Sequence, residues 1–259
     1  MKCLIAIPCF RESSRLPPFL DSLCRELETA PFQASIVIVD DGSGADEAER
    51  TRAIVDEFRK KYARLIAEPV FLAENRGKGG AVYAGWAASS GDAAAGDLLC
   101  FVDADGSVPA TEVRRVIGEL FADERQHWGA LFGSRIKLLG NDVSRVASRH
   151  YIGRIFATLT TLITGIEVYD SQCGLKVLRR AAFEAIQKDL DEMRFVFDVE
   201  LTVLLLERGF RIREIPINWH EVSGSKVRVV RDSIRMFAGL LRIRRHKAAR
   251  AALAATRAT

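Results

Sequence analysis

The chain has 259 residues, 48% apolar and 28% charged, with a net charge of +4, proportions that give a folded globular protein a sizeable core and exclude a disordered chain. No stretch approaches the roughly 20 apolar residues of a membrane span, and the apolar run after Met1-Lys2 stops at Pro8, too short for a signal peptide. The charge is unevenly laid out: Lys226 to Thr259 holds ten Lys or Arg and one acid, Asp232, while the rest holds 28 basic and 33 acidic residues. A mildly acidic body with a strongly basic tail points to an anionic surface or partner at that end. Five cysteines, Cys3, Cys9, Cys24, Cys100 and Cys173, lack metal-ligand spacing and read as reduced core residues of a cytoplasmic protein.

In chain order, Cys3–Ile7 reads as a central strand, and Pro8 to Glu12 leaves it as a loop. Ser13 or Ser14 is placed to cap a helix running to Glu28, with Leu16, Phe19, Leu20, Leu23 and Leu27 at helical spacing and Pro17-Pro18 in its first turn. Ser35–Val39 is a second buried strand, ending in Asp40-Asp41-Gly42-Ser43. A helix over Asp46–Tyr62 and a short strand over Val70–Leu72 follow.

The stretch Asn75-Arg76-Gly77-Lys78-Gly79-Gly80 opens a helix reaching about Ser89. Two readings stay open for it: a phosphate cradle of backbone N–H groups at a helix start, or a tight turn that needs small residues for packing. It lacks the Walker spacing.

Leu98–Val102 is a fourth strand, five apolar residues in a row, and it delivers Asp103-Ala104-Asp105. One residue apart on extended backbone, the two carboxylates point to the same side. Paired hard oxygens at a strand end suit Mg²⁺ or Mn²⁺ holding a diphosphate, although the same residues also make an ordinary turn into Gly106.

A helix over Thr111–Phe121 leads to a strand, Ala130–Phe132, and Gly133-Ser134-Arg135. A helix over Ser144–Thr164 carries Arg145, Arg149 and Arg154. Tyr169 to Gly174 precedes a strand-like run, Leu175–Leu178. Helices follow from Ala181 and over Val196–Arg208, the latter with Asp198 and Glu200 at its positively polarised start. Phe210–Ile217 is the last strand, before Asn218-Trp219-His220-Glu221 and Ser223-Gly224-Ser225-Lys226. Alternating strands and helices give an α/β fold with a parallel doubly wound sheet, whose ligands sit beyond the carboxyl ends of the strands. Residues 1–226 form one catalytic domain in this reading, and 227–259 a basic amphipathic helix or tail. Val230, Ile234, Phe237 and Leu241 make an apolar stripe in that tail among many arginines. Such a helix suits an anionic bilayer or packs on the domain, and both readings stay open.

The ordered set Ile7-Pro8…Glu12, Val39-Asp40-Asp41-Gly42-Ser43, Asn75-Arg76-Gly77-Lys78-Gly79 and Val102-Asp103-Ala104-Asp105 resembles inverting family 2 glycosyltransferases of the GT-A fold. Gly133-Ser134-Arg135, Asp170-Ser171-Gln172-Cys173-Gly174-Leu175-Lys176, Phe197-Asp198-Val199-Glu200 and Asn218-Trp219-His220-Glu221…Gly224-Ser225-Lys226 extend the resemblance to the dolichyl-phosphate glucosyltransferase branch. The resemblance implies a mostly parallel twisted sheet flanked by helices and a metal-dependent transfer of a hexose. The implied donor is UDP-glucose, with GDP-mannose the second choice, and the implied acceptor is a polyprenyl phosphate.

It further implies that Pro8, Phe10, Glu12 and Asp40 line the nucleotide while Asp41, Gly42 and Ser43 shape that loop. Gly77 and Lys78 then lie near the base, ribose or diphosphate. Asp103, with Ala104 beside it, approaches the ribose and diphosphate, and Asp105 is the more direct ligand of Mg²⁺ or Mn²⁺. Arg135, Arg149, Ser225 and Lys226 grip the acceptor phosphate, Asp170 and Gln172 flank the sugar and acceptor, and Asp198 or Glu200 completes the pocket. The chain departs from the mannose synthase pattern after Asp105, where Gly106-Ser107 follows. The implied location is cytoplasmic, peripheral to a membrane through the tail. Two rival functions are a soluble transferase acting on a hydroxyl and a nucleotide-sugar binding module without turnover. Nucleic acid is not an expected partner, because the tail lacks interleaved aromatics.

Overall fold

The computed structural model describes residues 2–88, 97–144, 147–222 and 229–257, leaving out the side chains of 147–150, 229, 230, 254, 255 and 257. A seven-stranded sheet forms the centre. In chain order its strands are β1 (Lys2–Cys9), β2 (Gln33–Asp40), β3 (Val70–Phe71), β4 (Leu98–Val102), β5 (Ala130–Ser134), then β7 (Leu175–Arg179) and β8 (Ile212–Pro216). Short β6 (Val143–Ser144) and β9 (Trp219–His220) pair with each other in a separate two-stranded sheet. The spatial order is β3-β2-β1-β4-β7-β5-β8. The helices are α1 (Leu16–Glu28), α2 (Ala45–Lys61), α3 (Lys78–Ala87), α4 (Ala110–Phe121), α5 (Ala147–Thr164), α6 (Arg180–Glu184), α7 (Phe197–Glu207) and α8 (Val229–Arg257).

Because side chains alternate across a strand, β1 feeds two cores. Cys3, Ile5 and Ile7 pack with α1 and α4 residues such as Leu20, Leu23, Val113 and Ile117. Leu4 and Ala6 pack with Trp86 of α3 and with Phe197 and Leu201 of α7. The indole N–H of Trp86 donates to the Cys100 carbonyl at 2.8 Å, so its one polar atom is satisfied in the core.

The sheet is not wholly parallel. β7 runs antiparallel between β4 and β5, while the pairings β1–β2, β1–β4, β2–β3 and β5–β8 are parallel. This reversal has a direct consequence: Val102 at the carboxyl end of β4 faces Leu175 at the start of β7, so the loop leading into β7 arrives at the edge where the parallel strands end.

Several expected boundaries shift for local reasons. Neither Ser13 nor Ser14 caps α1. The helix starts at Leu16 with Arg15 at its N-cap, and the Glu12 carbonyl accepts the N–H groups of Arg15 and Leu16 at 3.0 and 2.9 Å. The helix expected from Ser144 starts at Ala147 because Val143 and Ser144 pair with Trp219 and His220. Phe210 is not in the last strand: Gly209 and Phe210 donate to the Leu206 and Leu205 carbonyls, a Schellman closure of α7.

Helix α8 docks through Leu240 and Ile243, which join Val196, Val199 and Val203 in a third apolar cluster. The stripe read from the sequence faces the other way: Ile234, Phe237 and Leu241 are 67%, 44% and 40% exposed. Val230 lies outside the described side chains. All five cysteines are buried and unpaired, as expected. No described helix is long and apolar enough to cross a membrane.

Candidate active site

One cavity of about 810 Å³ opens at the carboxyl edge of the sheet. Pro8, Phe10 and Glu12 reach it from the end of β1 and Asp41 from the end of β2. Gly77 and Lys78 come from the start of α3, and Asp103, Ala104 and Asp105 from the end of β4. Arg135 follows β5, Asp170 and Gln172 precede the reversed β7, and Asp198 stands on the first turn of α7. These thirteen expected residues are thus brought together.

Four others are not in the wall. Asp40 is 2% exposed, and its carboxylate accepts the Ser43 N–H at 3.0 Å behind the loop. Ser43 accepts the Arg11 N–H at 2.9 Å, and Gly42 is pressed against the backbone of Glu74 and Asn75. These three residues shape the loop but do not line the cavity, which corrects the expectation that Asp40 faces the nucleotide. Glu200 is also outside the wall; it accepts the N–H groups of Asp191 and Glu192 at 2.9 and 2.7 Å. Its role is to hold the 191–192 loop. The Arg149 side chain, Ser225 and Lys226 lie outside the described residues.

The glycine-rich stretch proves to be a turn packed for closeness. The Asp41 carboxylate accepts the Arg76 and Gly77 N–H groups at 2.7 and 2.9 Å and the Asn75 side chain at 2.9 Å. Gly80 donates to the Met193 carbonyl at 2.9 Å. The Arg76, Gly77 and Gly80 amides are thus already used and are closed to a phosphate. Gly77 has φ +92°, and a Cβ there would meet Met193 O at 2.7 Å, so only glycine fits. Lys78 is the group this turn offers to the cavity. Its Nζ sits 2.7 Å from Asp103. Burial lowers the affinity of that amine for its proton, but Asp103 and Asp198 outweigh burial and hold it above the ordinary value.

Asp103 and Asp105 both line the cavity together with Ala104, although β4 ends at Val102 and 104–105 form a turn and not extended backbone. Asp103 donates its N–H to the Gly174 carbonyl at 3.0 Å. A Cβ on Gly174 would lie 2.1 Å from the Asp103 carboxylate, so glycine is required for this approach. Asp105 accepts the Ser107 N–H at 3.0 Å and lies 3.8 Å from Arg15. Arg15 also binds Glu12, at 2.6 Å through Nε. The acidic pair offers only oxygen donors, the chemistry that suits a hard divalent ion, and an ion there would share the two carboxylates with Lys78 and Arg15.

The lining contributed by β5, β7 and the helices beyond them mixes charged and apolar groups. Arg135 forks onto Asp170 at 2.7 and 2.6 Å and lies 5.5 Å from the centre of the Trp219 ring. Asp170 is fixed in turn by its N–H to Glu214 at 2.8 Å. Gln172 donates to the Phe195 carbonyl at 3.0 Å, and Arg194 reaches the cavity from the same segment. Ile152 and Phe156 of α5 and Met236 of α8 give the cavity an apolar border. Arg242 of α8 forks onto Glu192 at 2.7 and 2.9 Å.

The sequence reading missed Arg15, Arg194 and Arg242. Arg15 had a local signal, its spacing of three from Glu12 at a helix start. Arg194 and Arg242 had none, since only the tertiary fold brings their segments to the cavity.

Comparison with known proteins finds relatives over most of the chain. Residues 4–187 match the family model described as Glycosyl transferase family 2. The dolichyl-phosphate beta-glucosyltransferases of Dictyostelium discoideum and Saccharomyces cerevisiae are each 32% identical over 251 residues, covering 93% of this chain and 73% of theirs. The Homo sapiens enzyme of the same name is 29% identical over 236 residues, covering 86% of this chain and 68% of its own.

Glucosyl-3-phosphoglycerate synthase from Mycobacterium tuberculosis, solved with Mn²⁺, UDP and phosphoglyceric acid, superposes with a TM-score of 0.66 at 14% identity, covering 93% of this chain and 76% of its own. A mannosyltransferase from Pyrobaculum calidifontis, solved with GDP-Man and Mn²⁺, gives 0.56 at 16% identity, covering 97% and 75%. At such identities the structural likeness is one of fold.

Glu200 supplies a pH test. Burial pushes its carboxyl up to about 7, whereas an unfolded glutamate titrates near ~4.3. Across that window the folded state keeps a proton that the unfolded chain has lost, so stability falls as pH rises. Glu200→Gln keeps an oxygen for both N–H bonds and removes this slope. The melting-temperature difference, variant minus wild type, is expected to widen in favour of the variant between about pH 5 and pH 8. A difference that stays constant with pH would refute the assignment.

Proposed function

The chain belongs to glycosyl transferase family 2 and is a glycosyltransferase, and from that premise we propose that it moves a hexose, glucose from UDP-glucose before mannose from GDP-mannose, onto a polyprenyl phosphate with inversion at the anomeric carbon. The observation that carries the proposal is one cavity whose lining holds both an acidic pair, Asp103 and Asp105, and the Arg135 guanidinium braced by Asp170, together with apolar helix residues. The names of the relatives, dolichyl-phosphate beta-glucosyltransferases, support the same acceptor.

Asp105 and Asp103 are the residues that would hold Mg²⁺ or Mn²⁺. Bound there, the ion would neutralise charge on the departing diphosphate. Lys78 keeps Asp103 in place and adds positive charge on the same side. Pro8, Phe10, Glu12 and Asp41 supply the nucleotide side of the cavity. Arg135, already oriented by Asp170, offers the planar fork suited to a phosphate. Arg149, Ser225 and Lys226 are assigned to the same acceptor phosphate.

A phosphate nucleophile arrives as an anion, so no general base is needed; a hydroxyl acceptor would need one. Asp170 is tied up by Arg135, and that arrangement favours the phosphate reading over the hydroxyl one.

The partition into a catalytic body, 1–226, and a basic tail, 227–259, is part of this proposal. In it α8 rests on an anionic membrane surface. Ile234, Phe237 and Leu241 face outward with exposed Arg231, Arg244 and Arg245 on the same helix, and α5, which packs on α8, exposes Tyr151, Ile155 and Leu162. Apolar side chains inserted at the headgroup level, with arginines among anionic lipids, are the usual means of interfacial binding.

Purified protein given labelled UDP- and GDP-sugars is expected to send label into the lipid phase only when polyprenyl phosphate and a divalent cation are both present. EDTA should stop it, and UDP-glucose should be the best donor. Turnover onto a water-soluble acceptor, or none, would overturn the proposal. Asp105→Ala should lower transfer by about 10³-fold with an unchanged circular dichroism spectrum; full metal-dependent activity in that variant would refute its role. The protein should sediment with phosphatidylserine vesicles and not with pure phosphatidylcholine, and Ile234→Glu/Phe237→Glu should abolish that binding. Equal binding by the double variant would remove α8 from the contact.

A further inference from the structure

Lys176 is a lysine where the sheet offers only apolar neighbours. It sits in the middle of β7, opposite Phe101 of β4 and Phe132 of β5, and is 0% exposed. Its ammonium donates to the Ser171 carbonyl at 2.9 Å and the Cys173 carbonyl at 3.0 Å and forms an ion pair with the Asp198 carboxylate at 2.9 Å. The Phe132 and Phe101 rings close its sides, their centres 5.0 and 5.5 Å from Nζ.

Lys176 itself does not line the cavity, while Ser171, Gly174 and Asp198 do. It stands behind the wall and reaches its partners from there.

A buried ion pair seldom adds stability over apolar residues of the same volume, and β7 is otherwise built for an apolar residue here. Asp198, by contrast, needs counter-charge. It is 2% exposed and faces like charge from Asp103, and of the two lysines that offset this, Lys176 counts for more than Lys78, which is bound to Asp103.

From this geometry we infer that Lys176 is a positioning residue for sugar transfer: the Ser171 and Cys173 carbonyls mount its ammonium, and the ammonium fixes the direction of the Asp198 carboxylate into the cavity. The inference deepens the transfer activity proposed above and rests on it. It assigns Lys176 no contact with substrate. Its effect belongs to turnover and not to nucleotide binding, because the nucleotide side of the cavity is built from other elements.

The test compares Lys176→Met, Asp198→Asn and the double variant, reading UDP released from UDP-glucose and UDP affinity by calorimetry. Lys176→Met is expected to lower kcat about 100-fold, the scale of a small displacement in a site caused by a change behind it. Donor KM and UDP affinity should stay within about threefold, since only the oriented group is disturbed. The double variant should be no slower than Asp198→Asn alone, because Lys176 acts through Asp198.

If Lys176→Met fails to fold, the double variant, which leaves no unpaired charge, still carries the comparison with Asp198→Asn. A folded Lys176→Met with wild-type kcat overturns the inference. So does a double variant slowed by a further large factor beyond Asp198→Asn, or a loss confined to UDP affinity. Wild type that releases UDP without labelling lipid overturns the lipid acceptor alone, and wild type that releases none overturns the transfer and this inference together.

Discussion

The site depends on one strand running the wrong way. In a wholly parallel sheet, every loop before a strand lies at the amino edge, away from ligand. β7 is reversed, so Asp170, Ser171, Gln172 and Gly174 arrive beside the end of β4. The contact between Gly174 and Asp103 is the point of closest approach, and a hydrogen bond of 3.0 Å from the Asp103 N–H holds it. Without that reversal Asp170 would not reach Arg135, whose guanidinium would lose its orientation.

Charge in the cavity is organised by pairing. Asp103 has Lys78, Asp105 has Arg15, Asp170 has Arg135 and Asp198 has Lys176. Acids and cations are interleaved, so the cavity tolerates the burial of each. A chain of contacts also joins the tail to the donor side. Arg242 of α8 holds Glu192, Glu200 holds the same loop from beneath, and Met193 accepts the N–H of Gly80 in the glycine turn. The basic helix is thus fastened to the segment that presents Lys78.

Much of this was legible in the residues. The apolar runs of β1, β2 and β4 and the spacing of α1 located those elements, and the polar clusters at three strand ends located the cavity. What stayed illegible was decided by distance in sequence. The direction of β7 follows from its pairing with β4 and β5, which leaves no mark in a five-residue apolar run. The glycine turn looked equally fit for a phosphate until Asp41, some 35 residues away in the chain, was seen to occupy its amides. Tail periodicity identified a helix with an apolar stripe, but a second stripe, Leu240 and Ile243, does the docking. Asp40 and Glu200 carried the right chemistry in the right neighbourhood and faced the wrong way, a distinction that one residue of register controls.

Two of the five thiols described above give the molecule an internal clock. Cys9 lies at the cavity between Pro8 and Phe10, and Cys173 lies behind its lining, next to Gly174. Burial holds the Cys9 thiol well above its ordinary range and that of Cys173 up to about 11. Burial suppresses the thiolate that a reagent attacks, so opening of the surrounding segment speeds the reaction of each. The rate at which a thiol reagent captures each one therefore measures how often that wall of the cavity parts, and the two walls report separately, by position, without any label being added to the chain.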